Sequence, residues 1–161
     1  MTWTTRPRSE FGRLRAIRAG SGPVVVLLHG VGLRAEAWGA QIDNLSRDYS
    51  VIAPDMESGK TLADFTDPVA DALAAHAWII GHSMGAMMAL DLAVRFPAKV
   101  RGVVAMNAVY RRSPEATAAV QARAVMLDGA SVSNLDSTLH RWFGSNMTPE
   151  RTACEGWLRG A

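Results

Sequence analysis

The sequence predicts an α/β fold, with a mostly parallel sheet flanked by helices. Three observations support this prediction. Val24 to Leu28 is an unbroken run of β-branched residues and leucine, which is typical of a strand buried on both faces. Between residues 24 and 106, short apolar runs alternate with segments whose apolar residues recur at helical spacing, the pattern of βαβ units. From about residue 111 no strong strand pattern appears, so the last part of the chain is predicted to be helical.

Size and composition favour one globular core. The chain has 161 residues and a mass of 17.3 kDa, with 48% hydrophobic and 20% charged residues, which excludes a disordered or collagen-like chain. A single cysteine, Cys154, excludes a disulfide within the chain, and the four histidines are too scattered for a metal site. No apolar run approaches the roughly 20 residues of a membrane span, and no secretory signal is seen. We therefore expect a cytoplasmic protein with no metal and no membrane partner.

Arginine dominates the basic residues and concentrates near the N-terminus. Five arginines fall within the first 18 residues, and the net charge is +2. Residues 2–6 and 13–18 are predicted to form the two strands of a hairpin. A nucleic-acid-binding patch is one interpretation of these arginines. The alternation of Arg13, Arg15 and Arg18 with apolar residues favours the other, a strand with arginine on its solvated face. We therefore expect no nucleic-acid partner.

The remaining elements are predicted in chain order. After a turn at 20–23 and the strand at 24–28, residues 35–46 form a helix and 51–53 a short strand. Asp67 as N-cap and Pro68 in the first turn predict a helix over 67–76. A strand at 78–80, a helix at 84–96 that Pro97 stops, and a strand at 100–106 follow. Three more helices are predicted at 113–127, 134–143 and 149–159.

One motif carries the chemistry. The segment Gly81-His82-Ser83-Met84-Gly85 matches G-x-S-x-G and lies between a predicted strand and a predicted helix. That context is the nucleophile elbow, a sharp strand-to-helix turn that exposes a serine hydroxyl at the carboxyl end of the sheet. Gly81 and Gly85 lack Cβ atoms and so allow the strand and the helix to approach closely. We therefore predict Ser83 as a catalytic nucleophile.

A second loop predicts an oxyanion hole. His29-Gly30-Val31-Gly32 follows the buried strand at 24–28. Acyl transfer needs two N–H donors aimed at the developing oxyanion. In elbow enzymes one donor is the residue after the nucleophile, here Met84, and the other lies in this loop, here Val31. We expect Gly30 to let the loop turn, and His29 to organise the loop rather than move protons.

These segments together resemble the α/β-hydrolase superfamily. His29-Gly30, Pro54-Asp55 and the elbow motif carry the resemblance, which covers residues 10–110. Residues 1–110 are then the core domain, and 111–161 resemble that family's helical lid, inserted between its sixth and seventh strands. Arg141-Trp142-Phe143 is similar to the lid of 3-oxoadipate enol-lactonases and related esterases. His29, His82, Trp142 and Phe143 become the pocket candidates.

The resemblance implies hydrolysis of a small carboxylic ester or lactone through an acyl-enzyme at Ser83, without a cofactor. Two alternatives stay open. The same elbow serves cofactor-free haloperoxidases and carbon–carbon bond hydrolases of this fold. A non-catalytic remnant that binds a small ligand or a partner chain is an alternative from another class.

The resemblance also predicts a missing general base. The family's triad runs in the order Ser, acid, His, and after Ser83 the only histidine is His140, inside the lid segment. We therefore expect a C-terminally truncated hydrolase, lacking the last strands and the catalytic histidine, with impaired turnover. The strand at 100–106 would then be a bare edge that invites self-association.

Overall fold

The computed structural model describes residues 6–56, 59–109, 111–125 and 135–159. These residues fall into two compact units, one within 5–109 and the other containing 111–125 and 135–159. The two units are described separately.

The first unit is built on one mixed sheet of six strands in the order β1-β2-β4-β3-β5-β6. The strands are β1 (Ser9–Phe11), β2 (Leu14–Ala19), β3 (Val24–Leu28), β4 (Ser50–Pro54), β5 (Ala77–His82) and β6 (Val100–Met106). The pairs β3–β4, β3–β5 and β5–β6 are parallel, whereas β1–β2 and β2–β4 are antiparallel. The predicted α/β class with a mostly parallel sheet is confirmed.

Helices cover both faces of this sheet. They are α1 (Gly39–Leu45), α2 (Leu62–Ala72) and α3 (Met84–Arg95), with a 3-10 turn at Ala35–Trp38 before α1. Val25 and Leu27 of β3 point to the face covered by the 3-10 turn and α1, where they pack with Trp38. Val26 and Leu28 point to the opposite face, where α2 and α3 lie. Because β3 is buried on both faces, its continuous apolar sequence is explained.

The N-terminal hairpin differs from the prediction. Its first strand is Ser9–Phe11, within the stretch predicted as a loop, and the turn is Gly12-Arg13, where Gly12 has a φ of +58°. Of the strand predicted over 2–6, residues 2–5 lie outside the described residues and Arg6 is not in a strand. The hairpin turn lies at residues 12–13 because glycine tolerates the left-handed backbone conformation that the turn requires. The second strand therefore begins at Leu14 rather than at residue 13.

Helix α2 begins five residues earlier than predicted. Thr61 accepts a hydrogen bond from the Asp64 N–H, and the Asp64 carboxylate accepts one from the Thr61 N–H, which makes a capping box. Pro68 therefore lies inside the helix rather than in its first turn. At the other end, Lys99 donates hydrogen bonds to the Ala70 and Leu73 carbonyl groups, so the helix ends near residue 72 instead of 76.

The second unit is helical in its described residues. It contains α4 (Pro114–Val125), α5 (Leu135–Phe143) and α6 (Pro149–Arg159). Helices α5 and α6 pack together, and Leu139 and Cys154 are buried. Residues 126 and 127, the predicted end of the first of these helices, lie outside the described residues. In the described parts of both units, no helix has the length and apolar character needed to span a membrane.

Candidate active site

Ser83 stands in a strained turn between β5 and α3. Its backbone has φ 56° and ψ −114°, a conformation that non-glycine residues rarely adopt. The turn is fixed on both sides: the Ser83 N–H donates to the Met106 carbonyl at 2.9 Å, and the Ser83 carbonyl accepts from the Ala86 N–H at 3.1 Å. The end of β6 and the first turn of α3 therefore hold the serine at the carboxyl end of the sheet.

The two elbow glycines lie where a side chain cannot fit. A Cβ added at Gly81 would stand 2.0 Å from the Gly85 carbonyl oxygen. A Cβ added at Gly85 would stand 2.1 Å from the Leu28 carbonyl oxygen. β5, α3 and β3 are therefore in backbone contact directly beneath Ser83.

The loop after β3 lies against the elbow. A Cβ added at Gly30 would be 3.3 Å from the Ser83 Cβ and 3.4 Å from His82 Nδ1. β3 and β5 are parallel neighbours, and the connection after β3 leads to β4 on one side of the pair whereas the connection after β5 leads to β6 on the other side. Such a switch point opens a crevice at the carboxyl ends of the strands. Within the described residues, neither the Val31 N–H nor the Met84 N–H is a donor in the hydrogen bonds outside helices and strands. Their part in an oxyanion hole stays a prediction.

His29 is a buried link between β3 and the end of β4. It is 3% exposed, and its Nε2 accepts a hydrogen bond from the Met56 N–H at 3.1 Å. Nδ1 therefore carries the proton and donates to the Gly30 carbonyl at 2.8 Å. Burial lowers the pKa of His29 below its ordinary value. This neutral ring with both nitrogens occupied is suited to holding the loop.

This architecture has known counterparts. A family model described as "Alpha/beta hydrolase family" matches residues 25–160. The chain belongs to this family. The predicted resemblance to the α/β-hydrolase superfamily is thus confirmed.

Relatives of this α/β hydrolase include several enzymes. The chain is 34% identical over 142 residues to (E)-2-((N-methylformamido)methylene)succinate hydrolase of Acinetobacter baylyi, covering 79% of this chain and 53% of that protein. It is 34% identical over 143 residues to pimeloyl-[acyl-carrier protein] methyl ester esterase of Chromobacterium violaceum, covering 80% of this chain and 55% of the esterase. The crystal structure of the enol-lactonase from Burkholderia xenovorans LB400 shares the fold, with a TM-score of 0.70 and 24% identity over 96% of this chain and 66% of that one. The chain therefore spans about half the length of the curated relatives it matches.

The other histidines of the hydrolase lie in different surroundings. His82 is half-buried, and its Nε2 lies 3.2 Å from the Asn107 side-chain nitrogen. Asn107 follows β6 and has a φ of 54°. His76 is exposed before β5, and His140 is exposed on α5 in the second unit. Among the described residues, no histidine is hydrogen-bonded to a carboxylate, so none has the partner expected of a general base.

An ionic cluster at the end of the loop that follows β3 was not predicted from the sequence. Arg8 Nε donates to Asp55 Oδ2 at 2.6 Å, and Arg8 Nη2 donates to Glu36 Oε2 at 2.6 Å. Burial alone would raise the pKa of Asp55, but hydrogen bonds from Arg8 and the Ala35 N–H outweigh it and hold the pKa below its usual value. The same balance, with Arg8 as the partner, lowers the pKa of Glu36. The only available signals were the arginine-rich N-terminus and the Pro54-Asp55 pair.

The remaining pocket candidates belong to the second unit. Trp142 and Phe143 end α5, and Trp142 is 41% exposed. Their part in a substrate pocket stays a prediction.

Proposed function

We propose that this α/β hydrolase cleaves a small carboxylic ester or lactone through an acyl-enzyme at Ser83. The observation that carries the proposal is the strained Ser83 turn packed against Gly30. It is supported by two backbone N–H groups, of Val31 beside Gly30 and of Met84 beside Ser83, that are not donors in the hydrogen bonds found outside helices and strands of the described residues. Serine is the only hydroxyl nucleophile in the elbow motif. The proposal needs no cofactor.

In the proposed reaction the Ser83 Oγ attacks the carbonyl carbon of the substrate. Negative charge then develops on the carbonyl oxygen, where the Val31 and Met84 N–H groups stabilise it. Met84 is the first residue of α3, so the positive end of the helix dipole adds to this stabilisation. Collapse of the tetrahedral intermediate expels the alcohol and leaves an acyl-serine, which water hydrolyses. In a lactone the expelled alcohol stays on the same molecule.

In the proposed step the Ser83 proton passes to solvent water, and the leaving oxygen takes a proton from water to depart as the alcohol. This proton transfer limits the rate, because the described residues bring no histidine paired with a carboxylate to Ser83. His29 is buried with both nitrogens engaged, and His82 lies against an amide rather than a carboxylate. We therefore propose slow turnover by this chain, supported by the oxyanion hole and substrate binding alone. Such a site retains roughly 10³–10⁴-fold acceleration over water.

Support for the substrate class comes from the relatives. One is named for hydrolysis of a methyl ester and another for hydrolysis of a substituted succinate. Both names describe hydrolysis of small or carrier-bound carboxylic acid derivatives. The esterase name supports an ester carbonyl in the substrate, and the succinate name supports a small-molecule substrate.

The test is covalent labelling of the intact chain with a fluorophosphonate, followed by mass spectrometry. Ser83→Ala removes the nucleophile, and Ser21→Ala is a matched control because Ser21 is exposed in the turn before β3. We expect one slow adduct in the parent chain and in Ser21→Ala, and none in Ser83→Ala. An adduct in Ser83→Ala, or a folded parent chain without any adduct, would contradict the proposed nucleophile.

A second candidate is binding without turnover. The observation that favours it is that no described histidine is paired with a carboxylate. Binding of a substrate-like ester, measured by calorimetry, would then persist in Ser83→Ala while the parent chain forms no acyl-enzyme. Detection of an acyl-enzyme by intact mass would exclude this candidate.

A further inference from the structure

The loop that supplies the Val31 donor is clamped from two sides. At its start, the His29 ring joins the Gly30 carbonyl to the Met56 N–H. At its end, the Ala35 N–H donates to Asp55 Oδ1 at 2.9 Å. Both clamps reach the same short segment after β4, so the position of Asp55 and Met56 sets the position of the whole loop.

Arg8 holds the second clamp together from the N-terminal segment. Its guanidinium binds Asp55 through Nε, at 2.6 Å, and through Nη2, at 3.3 Å. The same Nη2 binds Glu36, which lies in the 3-10 turn directly after the loop and is 4% exposed. The Arg8 side chain is itself only 15% exposed, and its Nη1 donates to the Arg6 carbonyl at 2.8 Å. One half-buried cation thus ties the end of the loop, through Glu36, to Asp55 at the end of β4.

Removal of this cation would leave two acids facing each other. Glu36 and Asp55 repel one another electrostatically, and Arg8 forms an ion pair with each, which offsets that repulsion. A buried carboxylate that loses its partner must find water or move. The 3-10 turn would shift outward, and Gly30 to Arg34 would shift with it because they connect to that turn.

We propose that Arg8 is a positioning residue for the oxyanion hole. It touches no reacting atom; it fixes the loop that presents the Val31 N–H to the crevice. This inference rests on the proposed function, because it assigns Arg8 a part in acylation of Ser83. It also gives one residue of the arginine-rich N-terminus a purpose other than solvation.

The test compares Arg8→Gln with Arg8→Lys and Arg6→Gln in the full chain. Arg6→Gln is the matched control, since Arg6 lies two residues away and pairs at 2.8 Å with Asp43, whose side chain is 65% exposed. Arg8→Lys keeps the charge without the planar fork and covers the case in which Arg8→Gln does not fold. Two quantities are measured: the rate of fluorophosphonate labelling at Ser83, and amide hydrogen exchange at Ala35 and Met56, with the β3 amides as an internal reference.

We expect Arg8→Gln to slow labelling by about 10- to 100-fold, because a displacement of about 1 Å at a catalytic group has that effect. Exchange should rise at Ala35 and Met56 while the β3 amides stay protected. Arg8→Lys should fall between the parent chain and Arg8→Gln, and Arg6→Gln should match the parent chain.

Labelling of Arg8→Gln within twofold of the parent rate would overturn the inference. A uniform rise in exchange that includes β3 would also overturn it, since Arg8 would then act only on global stability. If the parent chain is not labelled, the proposed function fails, and exchange alone decides about Arg8. In that case a local rise at Ala35 and Met56 supports positioning, and unchanged exchange refutes it.

Discussion

Gly81→Ala should destabilise the fold and displace the nucleophile together. The new Cβ would lie 2.0 Å from the Gly85 carbonyl oxygen and 2.6 Å from the Ala86 nitrogen. A carbon atom packs at about 3.5 Å from its neighbours, so β5 and α3 would have to separate by about 1.5 Å. Overpacking in a core costs about 1–3 kcal/mol, and the obstructing atoms here are backbone, which cannot rotate away. We expect a loss of at least about 3 kcal/mol in the free energy of unfolding, against a typical total of about 5–15 kcal/mol.

Urea denaturation followed by circular dichroism measures this loss. Gly39→Ala is the control, because Gly39 has helical angles of φ −48° and ψ −51° and a Cβ there meets only Arg6, at 4.0 Å. That variant should be unchanged or more stable by up to about 1 kcal/mol. If the free energy of unfolding of Gly81→Ala lies within about 0.5 kcal/mol of the parent value, the scatter of ordinary surface substitutions, the close contact beneath Ser83 is refuted. Labelling of Ser83 in the folded fraction reports the second effect, since a 1.5 Å shift of α3 moves the Met84 N–H.

Three further outcomes are expected. Burial lowers the pKa of His29, so below about pH 6.5 the unfolded chain binds a proton at this residue that the folded chain does not. The free energy of unfolding should therefore fall from pH 7 to pH 5, by up to about 1.4 kcal/mol per pH unit. His29→Gln should flatten that slope in denaturation curves, whereas His76→Gln, at an exposed position, should not. Lys99→Met should lower the free energy of unfolding by about 1–2 kcal/mol in urea denaturation, because two charged hydrogen bonds to the end of α2 are lost. The control Lys60→Met, at an exposed position, should lower it by less than about 0.5 kcal/mol. In the sheet formed by the described residues, β6 is an edge strand, and its Val104 is 47% exposed. Sedimentation should therefore show self-association that Val104→Lys weakens, and a parent chain that stays monomeric at all concentrations would contradict this.

Elements with a strong local pattern could be predicted from the sequence. β3 is found at Val24–Leu28 and β6 at Val100–Met106, as predicted, because β-branched runs between turns leave one interpretation. The elbow could be located because the strand, the glycines and the helix are consecutive in the chain. Both features depend on interactions between near neighbours in the sequence.

Two kinds of feature could not be predicted: helix ends for which the sequence offers two alternative start signals, and contacts between residues far apart in the chain. Pro68 is typical of a helix start, so the helix was predicted to begin there. It begins upstream instead, because the Thr61–Asp64 capping box satisfies backbone N–H groups at the helix N-terminus. The Arg8 pairs join residues 28 and 47 positions apart. Such pairs have no local pattern, and arginines at the N-terminus are equally compatible with a solvated strand.

The order of the strands in the sheet explains why the proposed nucleophile and oxyanion donors can be identified in this chain. β3 and β5 are adjacent and parallel, so the loop after one and the elbow after the other reach the same edge of the sheet. The proposed nucleophile and the proposed oxyanion donors therefore come from two neighbouring strands, and Gly81 and Gly85 leave no room for a side chain between the backbones beneath them. A general base has no such origin, because a side chain must be carried into the crevice by some other element. Acylation by a reactive probe requires chiefly the nucleophile and the oxyanion donors, whereas repeated turnover of a substrate also requires a general base. Measuring the rate of labelling and the rate of turnover separately would show how far β3 and β5 alone support catalysis.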